Sequence, residues 1–77
     1  MAAKAYVLVT IEPQKTKQVL KTLANKDNIK GINSVTGRYD AVLELSARDV
    51  REISDAVISN LRAVDGIRGT ETLLVYE

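Results

Sequence analysis

Cysteine, histidine, tryptophan and phenylalanine are all missing from this 77-residue chain. Without cysteine there can be no disulfide framework, and without cysteine or histidine the usual zinc and haem ligands are gone, so no metal or other cofactor is expected. Acid and base catalysis would fall to carboxylates alone. No closely spaced carboxylate pair is placed in an evident cleft, so the chain is not expected to be an enzyme. Aromatics are scarce as well: Tyr6, Tyr39 and Tyr76 are the whole set, too few and too scattered for an RNA reader that stacks bases on its central strands. An excess of either charge is absent too. Eleven basic residues stand against ten acidic ones, for a net charge of +1, and the basic residues are dispersed, so no direct contact with nucleic acid is expected. No apolar run approaches the roughly 18 residues of a membrane span. The opening Met1-Ala2-Ala3-Lys4 lacks a signal peptide's order of basic then apolar regions, so the expected location is the cytoplasm and no membrane partner is implied.

What is present is a patterned globular sequence, 45% hydrophobic and 27% charged, of a length that admits one domain spanning residues 1–77. A core this small needs help, and with disulfides and metals excluded, self-association is the remaining common device. Residues 5–11 form an apolar, β-branched run that reads as a strand with two apolar faces: Ala5, Val7, Val9 and Ile11 on one, Tyr6 and Leu8 on the other. Pro13 suits the first turn of a helix over residues 14–25, where Val19, Leu20 and Leu23 share a face. A second strand is expected over residues 29–36, weakened by Gly31, and a third over residues 41–45. Ser46-Ala47-Arg48-Asp49 has capping-box spacing. Val50, Ile53, Val57, Leu61 and Val64 then mark a second amphipathic helix of about four turns, which Asp65-Gly66 ends. Residues 70–76 read as the fourth strand.

An internal echo supports this order of elements. Val19, Leu23, Asp27 and Gly31 recur 38 positions later as Val57, Leu61, Asp65 and Gly69, with Leu20/Ile58, Ile29/Ile67 and Lys30/Arg68 as conservative pairs at the same offset. Two tandem βαβ units in so short a chain predict an α+β, ferredoxin-like βαββαβ sandwich: a four-stranded antiparallel sheet in spatial order 4-1-3-2, with both helices on one face. The helix-free face then lacks a cover. Four strands present a face on the order of 350 Å². If it is mostly apolar, covering it would contribute up to about 9 kcal/mol per chain before association costs. A homodimer with sheets packed face to face is expected, with Thr10 and Glu44 as polar exceptions on that face.

Between the second and third strands lies the stretch most like a site, Val35-Thr36-Gly37-Arg38-Tyr39-Asp40. A hairpin loop explains it without any ligand, since glycine supplies positive φ and Asp and Thr are ordinary turn residues.

The Ser-Val-Thr-Gly-Arg-Tyr-Asp hairpin at residues 34–40, the Tyr6-Val7-Leu8-Val9 run leading to Pro13, and Asp65-Gly66-Ile67-Arg68-Gly69-Thr70-Glu71-Thr72 together resemble the RAM domain, the effector-binding half of Lrp/AsnC transcription regulators. The resemblance covers nearly the whole chain. It implies dimers through the sheet faces, rings of dimers, commonly a tetramer of dimers, and small amino acids held in clefts between neighbouring dimers. On that resemblance the ligand-binding set is Thr36, Gly37, Arg38, Tyr39, Asp40, Thr70 and Thr72: the zwitterion's carboxylate meets backbone N–H groups around Gly37, Asp40 pairs with its ammonium, Thr36, Thr70 and Thr72 line the pocket, Tyr39 walls it, and Arg38 points to solvent or to a neighbouring subunit. Full-length relatives carry an N-terminal helix-turn-helix. Only Met1 to Lys4 precede the first strand here, so the expectation is a stand-alone RAM protein acting through ligand sensing or through a helix-turn-helix Lrp/AsnC relative as partner. Gly69 stands where relatives carry a larger, often basic residue. The rival readings are an ACT-like allosteric amino-acid-binding domain, in which dimers pair edge to edge, and a small ferredoxin-like enzyme.

Overall fold

A computed structural model of the chain describes residues 2–75. Strand β1 (Ala3–Ile11) leads through a 3-10 turn (Pro13–Lys15) into helix α1 (Thr16–Ala24), and β2 (Ile29–Ser34) and β3 (Ala41–Ala47) flank the central turn. Helix α2 (Val50–Ala56) runs into a π-helical turn (Val57–Leu61), and β4 (Ile67–Leu74) follows. The sheet has the order β2-β3-β1-β4 with every pairing antiparallel. This is the ferredoxin-like topology expected from the repeat.

Strict alternation along β1 and β3 builds the core. Ala5, Val7, Val9 and Ile11 of β1 and Ala41, Leu43 and Leu45 of β3 are buried against Val19 and Leu23 of α1 and Ile53, Ala56, Val57 and Leu61 of the second helical segment. No polar side chain is buried among the described residues, so the layer between sheet and helices is held by apolar packing alone.

Several element boundaries differ from the sequence expectations, each for a local reason. The capping residue of α2 is Asp49, not Ser46: its carboxylate accepts the Glu52 N–H at 2.8 Å while Glu52 accepts the Arg48 N–H at 3.2 Å. Residues 46 and 47 instead extend β3, pairing with Lys4 and Ala3. The second helix is not a uniform four-turn α-helix. After Ala56 it widens, with Arg62 N–H donating to the Val57 carbonyl five residues back at 3.0 Å. That wider turn takes up the extra residue that spacings of four introduce, so Ile53, Val57 and Leu61 all stay on the core side. Val50, expected on the apolar face, is 51% exposed. Strand β2 ends at Ser34, two residues short of expectation, and β4 begins at Ile67, three residues early. The expected strand position of Tyr76 lies outside the described residues.

Both outer strands carry a β-bulge. The register slips between Ile29 and Gly31 in β2 and between Ile67 and Gly69 in β4, leaving Lys30 and Arg68 without ladder partners. These two residues are 38 positions apart, so the internal repeat reaches down to the irregularities of the sheet edges.

The helix-free face is less oily than expected. Pairing of Tyr6 with Leu73 and of Leu8 with Val42 makes a diagonal apolar strip across β4, β1 and β3, but Glu71 sits beside Leu8 and Glu44 beside Tyr6. Strand β2 adds only Gly31 and Asn33 to this face. Lys4 caps the strip, its ammonium 3.5 Å from Glu44 and 5.3 Å from the centre of the Tyr6 ring. Roughly half the face is apolar, which lowers the expected gain from covering it to about 4 kcal/mol per chain.

Candidate functional site

The turn at residues 35–40 is closed by one backbone bond and fastened to the end of β1 by two more. Val35 N–H donates to the Asp40 carbonyl at 3.0 Å, and Asp40 N–H donates to the Val9 carbonyl at 2.8 Å. The Asp40 carboxylate accepts the Ile11 N–H at 2.7 Å. The β1/β3 ladder ends at the pair Val9 and Ala41, so the aspartate satisfies an amide that β3 no longer reaches. One carboxylate oxygen is thereby committed to the backbone. Gly37 has φ +114°, a region that side-chain-bearing residues rarely adopt, and a Cβ built there would meet nothing within 4 Å. The glycine is needed for its conformation, since room for a side chain is there.

Tyr39 ties the turn to a second strand. Its phenol donates to the Glu71 carboxylate of β4, on the helix-free side, since Glu71 pairs with Leu8. The bond raises the Tyr39 pKa above the usual tyrosine value, helped by partial desolvation and by the Glu71 charge and opposed by the neighbouring Arg38. Thr36 and Arg38 are exposed, and Arg38 forms no ion pair among the described residues.

Thr36 to Asp40 therefore form one cluster, but the structure does not bring Thr70 and Thr72 to it. Both alternate to the opposite side of β4 from Glu71, pairing with the inward-facing Val9 and Val7. Thr70 lines a polar cleft of about 440 Å³ together with Arg62, Ile67, Arg68 and Gly69. Thr72 lines a smaller groove of about 240 Å³ with Ser54, Val57, Ile58 and Leu74. Within one chain, the turn and the two threonines belong to separate surfaces.

Two residues near these surfaces were not picked out from the sequence. Glu71 was legible from strand alternation, which sets it apart from Thr70 and Thr72, but its partnership with Tyr39 spans 32 positions and has no local signature. Arg62 follows the second helical segment at a position whose repeat counterpart is Ala24. That break in the echo was its only signal. Among the described residues no group of three or more metal-ligating side chains occurs, and no helix is long and apolar enough to cross a membrane.

The antiparallel sandwich, its helix-free face and the clamped polar turn at one end define a small ferredoxin-like α+β module. The family model for the Lrp/AsnC ligand binding domain matches residues 4–77, and the chain belongs to that family. It is 31% identical over 71 residues to the uncharacterised HTH-type transcriptional regulator PYRAB01370 of Pyrococcus abyssi, covering 92% of this chain and 45% of the regulator. The chain thus spans about half the length of the curated relative it matches. Among solved structures, TTHA0845 from Thermus thermophilus superposes with a TM-score of 0.92 at 29% identity, covering 97% of this chain and 94% of that one. The transcriptional regulator NMB0573 from Neisseria meningitidis, solved as a complex with L-Met, superposes with a TM-score of 0.89 at 17% identity over 97% of this chain and 50% of that one.

Proposed function

We propose that this chain is an amino-acid-binding and oligomerisation module of the Lrp/AsnC type, which senses a small effector and passes its occupancy to transcription through assembly. The family match over residues 4–77 is the observation that carries this reading, and the L-Met complex of a structural neighbour supports an amino acid as ligand class. In the site, the amides around Gly37 receive the effector's carboxylate. The Asp40 oxygen not engaged by Ile11 receives its ammonium, Tyr39 walls the pocket, and Thr36 and Arg38 complete its rim.

Separation of the turn from Thr70 and Thr72 within one chain gives self-association a role in the site itself. A ligand touching all of Thr36, Gly37, Arg38, Tyr39, Asp40, Thr70 and Thr72 must lie between copies, with the turn from one and β4 from another. The strip of Tyr6, Leu8, Val42 and Leu73 supplies the dimer contact, sheet face on sheet face, and dimers then gather into a ring such as a tetramer of dimers. Effector bound between dimers adds contacts that exist only in the assembled ring, so occupancy shifts the population towards it by mass action. The signal reaches DNA through a helix-turn-helix relative that co-assembles with the module.

Light scattering and calorimetry against a panel of free amino acids test this together. An amino acid that binds and shifts the mass distribution is the expected result, and a single subunit at micromolar concentration that is indifferent to the whole panel would overturn it. Asp40→Asn sharpens the test, because the amide oxygen can still accept the Ile11 N–H while the charge for the ammonium is lost. Amino-acid affinity should fall by at least about tenfold with the dimer intact. An unchanged affinity would remove Asp40 from the site.

A further inference from the structure

The polar cleft beside β4 lies apart from the turn, and three features single it out. First, it is lined by two guanidinium-bearing residues, Arg62 and Arg68, a threonine hydroxyl, a glycine and one isoleucine, with no acidic residue among them. Second, neither arginine forms an ion pair among the described residues, a state they share with most of the chain's basic residues, so no carboxylate neutralises the pair where they meet. Two guanidinium groups lining one cleft with no acidic residue beside them offer paired N–H donors to an anion. Third, the internal repeat supplies a built-in control. The residues 38 positions earlier are Ala24, Ile29, Lys30, Gly31 and Ile32. Ile67 and Gly69 keep their counterparts' character, but Arg62 replaces an alanine and Thr70 replaces an isoleucine. The remaining basic pair also differs in use: the Lys30 ammonium donates to the Asp27 carbonyl at 3.2 Å. The same backbone position in the first half thus does without Arg62 and Thr70, so the fold does not require them. The end of the second helical segment does favour a cation at Arg62 through its exposed carbonyls, but that accounts for neither Arg68 beside it nor the hydroxyl of Thr70.

We infer that this cleft is an oxyanion-binding site, in which Arg62, Arg68 and the Thr70 hydroxyl hold the carboxylate or phosphate group of a small molecule. Planar guanidinium groups match both anions through paired N–H donors, and the hydroxyl adds a donor without charge. The cleft volume of about 440 Å³ admits a small metabolite, well beyond a bare ion. Thr70 also belongs to the proposed effector set, so the two readings are told apart through Arg62 and Arg68, which lie outside that set, and through Gly37 and Asp40, which lie outside the cleft.

The test is an amide and arginine side-chain NMR titration of the full chain with inorganic phosphate and with acetate, each at constant ionic strength. Saturable shifts at Arg62, Arg68, Gly69 and Thr70, with Gly37 and Asp40 unmoved, are expected. Response to phosphate alone, acetate alone or both supports the site and names its preferred group. Arg62→Gln and Arg68→Gln should each weaken binding roughly tenfold, the size of one lost charge-assisted hydrogen bond. Both side chains are exposed, so the rest of the spectrum should stay in place. Absence of saturable shifts with either anion overturns the inference, as do shifts that both glutamine variants leave unchanged. Cleft resonances that move with protein concentration and not with anion would also overturn it. An amino acid that moves residues 36–40 while the cleft ignores both anions would sink this site and leave the effector reading standing.

Discussion

The first βαβ half and the second are built on one pattern, yet they end differently. Val19 and Leu23 in the first half and Val57 and Leu61 in the second are equivalent, and all four are buried. Lys30 and Arg68 occupy equivalent bulges on the two outer strands. The halves part at the helix exits. In the first, the chain passes through Asn28 without a positive φ. In the second it passes through Gly66 at φ +106°, whose carbonyl accepts the Glu12 N–H at 2.8 Å while Lys15 bonds both oxygens of Asp65 at 2.9 and 3.1 Å. The second exit is therefore a junction where the start of α1 is fastened to the second half. Shared residues make the core, and the residues that broke the symmetry make the contacts and clefts particular to each half.

The largest test of this equivalence is in the core. Leu23→Ala and Leu61→Ala should each cost about 2–5 kcal/mol, by lost burial plus a residual cavity, and chemical denaturation should find the two losses similar. A large cost at one position with little at the other would show that the repeat is a likeness of sequence without a likeness of packing. Next comes the place where the halves part. Gly66→Ala should cost about 2–4 kcal/mol, because the positive φ disfavours any side chain and the new Cβ would lie 2.8 Å from the Val19 Cγ2 and 3.0 Å from the Lys15 Cβ. Asn28→Ala, at the matching position, should change stability by about 0.5 kcal/mol or less. Equal costs for the two would remove the asymmetry between the exits.

The smallest effect concerns the turn that joins the halves. With its pKa raised in the folded chain above the usual 10.0 by the bond to Glu71, the Tyr39 phenol is favoured in its protonated form. Its contribution is complete below the unfolded tyrosine pKa and is lost as pH rises through the raised folded value. Ultraviolet titration should show a tyrosine phase above the usual value, and Tyr39→Phe should remove that late phase along with the alkaline loosening of residues 35–40. A late phase that survives the substitution would assign it to another tyrosine and leave the clamp without support.

Much of the fold was legible from spacing. Alternation at Ala5, Val7, Val9 and Ile11, helical spacing at Val19 and Leu23, and the 38-residue echo were enough for the order of elements and the antiparallel topology, because burial of one face imposes these periods directly. The π turn was hidden, since the spacing from Ile53 through Val57 to Leu61 fits a slightly drifting α-helix as readily as a widened turn. The cap was misplaced because Ser46 and Asp49 offer the same chemistry three residues apart, and the choice went to the longer β3, which pairs out to Ala3. For the site, the turn was visible as a cluster in sequence. The division of Thr70 and Thr72 from it was not, because it depends on how β4 sits beside β1.

The one-dimensional pattern by itself determined which residues face inwards, the tandem βαβ order and the need for glycine at the central turn, all properties set by local geometry and by the removal of apolar side chains from water. Only the tertiary structure decided that Asp40 caps the Ile11 amide, that Tyr39 reaches Glu71, and that Arg62 and Arg68 share a cleft. Those contacts join residues distant in sequence, which only the packing of strands, turn and helix end brings together.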